Sequence, residues 1–241
     1  MVTTLYLIRH GATEESEAKR YKGSIDVPMS EKGIRQMEQL AEYLNRSYKS
    51  YTTDSGLLNA VYCSPLSRAL KSAEIIAEPH GLKPIVIEDL RERSFGIWEG
   101  MTFTEIKERY PQEFEAWAEN PLRYSPVDGE STVEVRDRVV RALDEILNGA
   151  AEQQSSRIHK GTVPDLRTKQ SRVVESGLSP SLKIAIAIVA HGGVNRIILC
   201  HIMGIPLENI FRIEQDFAAV NIIEFWEKYP VVKLLNGVAI G

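Results

Sequence analysis

The stretch LYLIRHGATEES, residues 5–16, runs four apolar residues directly into an arginine, a histidine and a glycine. A short run of this kind is typical of a buried strand in a parallel sheet. A strand that ends in a polar turn is the ordinary interpretation of Arg9-His10-Gly11. The alternative is an anion site, because an arginine and a histidine at a strand end can share one negatively charged ligand.

The 241-residue chain has the size and composition of one globular domain. Apolar residues make up 43% of it and charged residues 26%, which supplies a full hydrophobic core. The net charge of −4 gives no basic field for nucleic acid. Apolar stretches are too short for a membrane span or a signal peptide. We therefore expect a cytoplasmic protein with no nucleic-acid or membrane partner, and buried free thiols at Cys63 and Cys200.

Strand-like and helix-like segments alternate along the chain. Short apolar runs at 59–63, 84–88 and 184–190 indicate buried strands, and two more, at 220–226 and 231–235, flank the turn signal Lys228-Tyr229-Pro230. Helical patterns begin near Ile34, Leu66, Val135 and Val194, with Ser64 expected as the N-cap of the second helix. The alternation predicts an α/β fold in which helices flank a doubly wound, mostly parallel sheet.

Residues 148–183 interrupt this alternation. They are polar and contain few bulky apolar residues, which is typical of a mobile surface insertion. No internal repeat and no second core pattern accompanies them. We expect a single domain over residues 1–241 with an insertion at about 148–183.

Polar residues follow four of the predicted strands where each strand ends. The clusters are Arg9–Gly11, Ser64–Arg68, Arg91–Arg93 and His191–Gly193. The carboxyl ends of parallel strands meet at one edge of the sheet, which is where ligands bind in open α/β folds. A single histidine or arginine at such a place is more often structural. Four clusters at four strand ends predict a functional site.

The residue types in these clusters suit a phosphate group. Arginine donates paired charge-assisted hydrogen bonds to phosphate oxygens. Helix N-termini next to Gly11, Ser64 and Gly192 would add backbone N–H groups. Glu92 is a carboxylate beside the arginines that can carry a proton to or from an oxygen.

Five blocks of the sequence resemble the signature of the histidine phosphatase superfamily, in the branch that holds cofactor-dependent phosphoglycerate mutases and small-molecule phosphatases. They are LIRHGATEE, YCSPLSRAL, LRERSFGIWEG, PVDGEST and VAHGGV, and they span residue 5 to about 225. The stretches GIWEGMTFTEIKERYP and NPLRYSPVDGES are most similar to the α-ribazole phosphatase and broad-specificity phosphatase group.

The resemblance implies a role for each matching residue. His10 would be the nucleophile that forms a phosphohistidine. Arg9, Arg68 and His191 would hold the phosphoryl oxygens. Glu92 would protonate the leaving oxygen and then take a proton from water. The resemblance implies no metal and no cofactor, because the arginines supply the positive charge.

Three further residues are weaker candidates for substrate contact. Ser16 stands where the family usually has an asparagine that touches phosphate, and serine is shorter. Lys22 and Gly23 align with positions on the substrate side of the family site, although a solvated lysine is an equal alternative for Lys22. For Glu92 the structural alternative is an ion pair with Arg91 or Arg93.

Other hydrolase classes lack their motifs in this sequence. A cysteine phosphatase needs five residues between its cysteine and arginine, and Cys63 and Arg68 are separated by four. The sequence has no Asp-x-Asp triplet, no Gly-x-Ser-x-Gly elbow and no P-loop. Two alternatives to a phosphomonoesterase stay open, which are a phosphoglycerate mutase and a non-catalytic phospholigand-binding protein on the same fold.

The expected partner is a small phosphorylated metabolite, such as an α-ribazole 5′-phosphate-like compound, a sugar phosphate or phosphoserine. Loops should surround its alcohol part. The candidate stretches for these loops are Tyr21–Ser24, Phe95–Trp98 and Tyr124–Ser131. The sequence carries no signal for an oligomeric state.

Overall fold

The computed structural model describes residues 2–14, 20–51, 58–159, 183–226 and 229–239. Two of the sequence predictions fall outside this part of the chain. They are the proposed phosphate contact of Ser16 and most of the predicted insertion, residues 160–182.

Within these described ranges, six strands form one sheet. In chain order they are β1 (Val2–Arg9), β2 (Ala60–Cys63), β3 (Ile85–Val86), β4 (Lys183–Ala190), β5 (Val220–Trp226) and β6 (Tyr229–Gly237). The spatial order is β3-β2-β4-β1-β5-β6. The pairings among β3, β2, β4 and β1 are parallel, and β5 and β6 add an antiparallel hairpin at one side. The predicted mostly parallel sheet is confirmed.

The described residues form six α-helices around the sheet. They are α1 (Glu31–Tyr51), α2 (Ser67–Ala77), α3 (Phe103–Arg109), α4 (Pro111–Glu119), α5 (Thr132–His159) and α6 (Gly192–Met203). Short 3-10 helices occur at Glu78–His80, Glu88–Leu90, Gly96–Trp98 and Leu207–Arg212. In the part of the chain that the structure describes, none of these helices is both long and apolar enough to cross a membrane.

Alternating side chains of β1 explain why helices cover both faces of the sheet. Leu5 and Leu7 belong to the core beneath α5 and α6. Tyr6 and Ile8 belong to the core beneath α1 and α2. Successive side chains of a strand point to opposite faces, so a continuous apolar run needs a helical layer on each side. The result is a single doubly wound α/β domain.

Two predicted strand features are corrected by the structure. The run 84–88 pairs only at Ile85 and Val86, and both are exposed, because β3 lies at the edge of the sheet with β2 alone beside it. Two residues of the expected turn, Tyr229 and Pro230, instead belong to β6, where they pair with Trp226 and Phe225. An edge strand tolerates proline because its missing N–H costs no ladder hydrogen bond.

The predicted start of the second helix is also wrong. Helix α2 begins at Ser67 with Leu66 at the N-cap position and no side-chain cap. Ser64 lies before the helix, where its hydroxyl accepts a hydrogen bond from the Leu66 N–H at 3.3 Å and contacts His191 at 2.8 Å. Ser64 therefore contacts the residues at the strand ends and does not cap the helix.

The predicted insertion begins later than the sequence suggested. Helix α5 continues to His159, so residues 148–159 belong to a helix. The apolar stripe of Val139, Leu143, Ile146 and Ala150 is buried and keeps this helix on the sheet. The proposed mobility of residues 160–182 lies outside the described residues and stays a prediction.

Candidate active site

The carboxyl ends of β1, β2 and β4 bring three of the predicted clusters together. Arg9 ends β1, Ser64 follows β2 and His191 follows β4. The ends of the three strands lie side by side in the sheet, since Arg9 of β1 pairs with Ala190 of β4 and Cys63 of β2 pairs with Val189 of β4. The fourth cluster arrives through the 3-10 helix Glu88–Leu90, which places Glu92 against the start of α6.

The His10 ring is held by a hydrogen bond at one of its two nitrogens, Nδ1. Its side chain is 5% exposed. Nδ1 lies 2.7 Å from the Gly11 carbonyl oxygen. A carbonyl can only accept, so Nδ1 carries the proton and Nε2 carries the lone pair. The backbone of His10 is fixed as well, through Ala190 and Ala218. This is the tautomer that a nucleophilic Nε2 requires.

The surroundings of His10 favour its neutral form. Burial lowers the pKa of the imidazole well below its usual value of 6.5, and the nearby guanidinium groups of Arg9 and Arg68 lower the pKa further. The bond to the Gly11 carbonyl opposes this only in part. Neutral imidazole is the form that can act as a nucleophile, and these surroundings keep His10 in that form at neutral pH.

Arg9 is fixed beside His10 by a carbonyl and an aromatic ring. One terminal nitrogen donates to the Gln215 carbonyl oxygen at 2.5 Å, and the guanidinium carbon lies 3.8 Å from the centre of the Phe217 ring. Its Nε is buried without a hydrogen-bond partner among the described residues. Burial lowers the pKa of Arg9 to about 10, which leaves it charged at neutral pH.

Arg68 is buried on α2 and ties the chain around residues 23–25 to the site. Its two terminal nitrogens donate to the carbonyl oxygens of Gly23 and Ile25, each at 2.7 Å. Gly23 adopts a positive φ of 47°, and a Cβ there would lie 2.5 Å from a carboxylate oxygen of Glu99. Gly23 lines the cavity that contains Arg9 and His10, and its carbonyl oxygen also orients Arg68.

His191 lies at the N-cap of α6 and is fully buried. Its Nε2 lies 2.8 Å from the Ser64 hydroxyl oxygen, and its ring meets His10 edge-on with 5.1 Å between the ring centres. Its Nδ1 is buried with no partner among the described residues. If the Ser64 hydroxyl donates to Nε2, Nδ1 carries the proton that a phosphoryl oxygen can accept.

Glu92 is positioned by backbone N–H groups. One carboxylate oxygen accepts from the Arg93 N–H at 2.9 Å, and the other accepts from the Gly193 N–H at 3.1 Å. A Cβ on Gly193 would lie 2.5 Å from this carboxylate, so the glycine permits the approach. The carboxylate is therefore held at the first turn of α6.

The ion-pair alternative for Glu92 is wrong. Arg91 pairs with Glu88 at 2.5 Å. Arg93 donates to the carbonyl oxygens of Glu130 and Tyr124 and to the hydroxyl of Thr132. The side chains of both neighbouring arginines are thus engaged elsewhere.

The remaining predicted contacts are adjacent to the site but already bonded. The Gly11 N–H donates to the Ser72 hydroxyl at 3.3 Å, so a phosphate contact through it would have to replace that bond. Lys22 donates to the Thr13 hydroxyl at 3.0 Å and to the Glu14 carbonyl oxygen. Gly192 lies against the guanidinium of Arg9, where a Cβ would approach Nε to 3.3 Å.

Two cavities meet at these residues. A cavity of about 450 Å³ contains the phosphate-side groups, among them Arg9, His10, Lys22 and Arg68. A second cavity of about 390 Å³ is walled largely by aromatic and aliphatic side chains. Both are lined by Arg9, Tyr21, Glu92 and Phe95. The arrangement places Glu92 between a region lined by cationic side chains and an apolar region.

The sequence analysis located part of the second cavity. Tyr21, Phe95 and Trp98 line it, as expected, but the stretch Tyr124–Ser131 does not. The Tyr124 ring instead stacks on Trp98 with 5.6 Å between the ring centres. The missed wall comes from α3 and α4, whose starts are marked by the Thr102–Glu105 capping box and by Pro111.

Two residues near Arg9 and His10 were also missed. Gln215 contributes through its backbone carbonyl, which no side-chain pattern reveals. Phe217 contacts both Arg9 and His10, and a single aromatic residue in a loop carries no sequence signal of that role. Among the described residues, no group of three or more His, Cys, Asp or Glu side chains is arranged to hold a metal ion.

Comparisons with known proteins agree with this geometry. The model of the histidine phosphatase superfamily (branch 1) matches residues 5–163 and 151–237. Phosphoserine phosphatase 1 of Hydrogenobacter thermophilus is 28% identical over 96% of this chain and 91% of its own length. The bifunctional protein Rv2228c of Mycobacterium tuberculosis is 40% identical over 61% of this chain, which corresponds to 38% of that protein.

A solved structure supports the fold. The crystal structure of the α-ribazole phosphatase from Shigella flexneri superposes with a TM-score of 0.74 at 24% identity, and the match covers 99% of this chain and 98% of that one. The family match spans almost the whole described chain and includes the residues that converge at the strand ends. This chain belongs to branch 1 of the histidine phosphatase superfamily.

Proposed function

We propose that this chain is a metal-independent phosphomonoesterase that hydrolyses a small phosphorylated metabolite through a phosphohistidine on His10. The observation that carries the proposal is the hydrogen bond from Nδ1 of His10 to the Gly11 carbonyl oxygen. It leaves the Nε2 lone pair for attack in a site lined by Arg9 and Arg68. Phosphoserine, α-ribazole phosphate and sugar phosphates are the substrate classes to be distinguished.

In the first step, the Nε2 lone pair of His10 forms a bond to phosphorus while the bond from phosphorus to the alcohol oxygen breaks. Protonated Glu92 gives its proton to that oxygen, and the alcohol leaves. In the second step, water attacks the phosphohistidine and gives a proton to Glu92. Inorganic phosphate leaves, and His10 and protonated Glu92 are restored.

Positive charge at the site stabilises the transferring phosphoryl group. Arg9 and Arg68 are both charged, buried or partly buried, and held by carbonyl oxygens. Fixed charges in a site shielded from water stabilise developing negative charge without further reorganisation. His191 in its neutral form adds a hydrogen-bond donor, Nδ1, beside the two arginines.

A turnover assay with a panel of phosphate monoesters, run with and without excess chelator, tests this proposal. We expect phosphate release that survives the chelator and is lost in His10→Ala. The matched control is His201→Ala, an exposed residue at the far end of α6, which should retain full activity. Retention of more than a few per cent of the activity in His10→Ala would contradict the proposal.

The same assay addresses the two alternatives that the sequence left open. A mutase would convert 3-phosphoglycerate to an isomer without releasing phosphate, and a binding protein would release none from any ester. The complete set of His10, Arg9, Arg68, Glu92 and His191 at one sheet edge favours a catalyst over a binding protein.

A further inference from the structure

The second cavity has a wall built from aromatic side chains, and we call it the aromatic chamber. Phe103 of α3 and Phe114 and Trp117 of α4 form one cluster, with ring centres 5.0 to 6.1 Å apart. Phe211, which is 83% exposed, also lines the chamber. Aromatic faces of this kind gain most by covering another flat apolar group.

Three arginines near the chamber, which are Arg93, Arg196 and Arg20, are already engaged. All three types of guanidinium nitrogen in Arg93 donate to protein oxygens. Arg196 donates to the Ile213 carbonyl oxygen at 2.7 Å and lies 3.9 Å from a carboxylate oxygen of Glu214. Arg20, at the phosphate side, forms a two-point ion pair with Glu105. A substrate carboxylate would have to break one of these interactions to pair with any of the three arginines.

The acidic residues of the chamber reinforce this selection. Glu92 and Glu208 both line it. A second negative charge on the alcohol part would be desolvated beside these two carboxylates, and like charges repel, which disfavours binding. An uncharged ring meets neither cost.

Resting on the proposed function, we propose that the aromatic chamber binds the alcohol part of the substrate. It selects phosphate monoesters whose alcohol carries a flat, uncharged aromatic group over esters whose alcohol carries a carboxylate, such as phosphoserine. Phe103, Phe114 and Trp117 are the specificity-determining residues, and they act on substrate binding while the groups around His10 carry the chemistry.

The test compares esters of three primary alcohols of similar reactivity, which are 2-phenylethyl phosphate, propyl phosphate and 2-carboxyethyl phosphate, with phosphoserine as a fourth substrate. We expect kcat/KM to be about 10-fold higher for the phenylethyl ester than for the propyl ester, the gain of one well-placed aromatic contact. The two carboxylate esters should fall below the propyl ester. A carboxylate ester that equals or exceeds the phenylethyl ester overturns the proposal.

Variants locate the preference within the molecule. Trp117→Ala should lower kcat/KM for the phenylethyl ester by about 10-fold, mainly through KM, and leave the propyl ester within about twofold. Phe103→Leu, at a half-exposed position on α3, should also lower kcat/KM for the phenylethyl ester. It replaces Trp117→Ala as the test if that variant folds poorly. Trp226→Ala, on β5 and outside the chamber, is the matched control and should change neither ester. Equal losses on both esters in Trp117→Ala overturn the proposal.

The outcomes separate this inference from the proposed function. Hydrolysis that depends on His10 but favours carboxylate esters would remove the chamber assignment and leave the phosphatase intact. Hydrolysis that persists in His10→Ala would remove the proposed mechanism itself.

Discussion

His10 is governed by one hydrogen bond and two positive charges. The Gly11 carbonyl fixes the proton on Nδ1, while burial and the charges of Arg9 and Arg68 keep the ring neutral. The same two arginines lie where a phosphate would bind. Under the proposed function, this pair of arginines would both bind the substrate phosphate and keep the nucleophile neutral.

The titration of His10 tests this account. Because positive neighbours and burial disfavour the imidazolium, the pKa of His10 should lie well below 6.5, and the ring should stay neutral as pH falls through that value. Arg68→Met removes one of the charges and should raise the pKa. Nitrogen-detected NMR of the imidazole measures both the pKa and the tautomer. A wild-type pKa at or above 6.5, or a proton on Nε2 in the neutral ring, would contradict the account.

Glu92 should matter in proportion to the difficulty of the leaving group. Glu92→Gln should slow hydrolysis of an alkyl phosphate by about 10²–10⁴-fold, because a poor leaving oxygen needs a proton. Phosphoenzyme formation from p-nitrophenyl phosphate should change far less, since that leaving group departs unaided. Single-turnover kinetics on the two esters measure the difference.

The control for this comparison is Glu88→Gln, an exposed carboxylate that pairs with Arg91. Glu99 is unsuitable as a neutral control, because its carboxylate accepts bonds from Ser24 and Phe95 and supports the residues that bind Arg68. Equal losses on both esters in Glu92→Gln would assign Glu92 a structural role.

At the scale of elements, the close contact between α1 and the strand end depends on two glycines. A Cβ on Gly11 would lie 2.3 Å from the Gly33 carbonyl oxygen, and a Cβ on Gly33 would lie 2.0 Å from the Ala12 carbonyl oxygen. Backbone atoms cannot yield by that amount without moving the helix. The start of α1 thus packs directly against the residues that follow His10.

Two glycine-to-alanine substitutions should therefore have opposite effects. Gly33→Ala should lower the free energy of unfolding by about 2–3 kcal/mol through overpacking. Gly149→Ala lies within α5, where the added methyl group meets nothing within 4 Å, and it should raise the free energy of unfolding by about 0.5–1 kcal/mol. Urea denaturation measures both. A destabilised Gly149→Ala would contradict the extension of α5 beyond residue 148.

The helices α3 and α4 were not predicted from the sequence. Their combined pattern lacks a broad apolar stripe, because the aromatic residues Phe103, Phe114 and Trp117 face a cavity instead of the main core. The sequence nonetheless marks where both helices start, with the capping box of Thr102 and Glu105 before α3 and with Pro111 at the start of α4. Local signals mark such helices better than periodicity does.

At the scale of the whole molecule, the parts that sequence predicts best are those buried on both faces. The runs 4–8, 59–63 and 184–190 became β1, β2 and β4, and their ends placed Arg9, His10 and His191 correctly. The edge strands were predicted less accurately, since the apolar run 84–88 indicated a buried strand but only Ile85 and Val86 pair there, and both are exposed. Hydrogen bonds to backbone carbonyl groups, such as the bond from Arg9 to Gln215, cannot be predicted from residue type.

The phosphohistidine is the central claim, and trapping it is the most direct test. Enzyme mixed with excess substrate is quenched within a turnover and analysed by peptide mass spectrometry. The account predicts an acid-labile phosphate on His10 that forms at least as fast as steady-state turnover and is missing from His10→Ala. A phosphate on another residue, or turnover without any phosphoenzyme that forms fast enough, would contradict it.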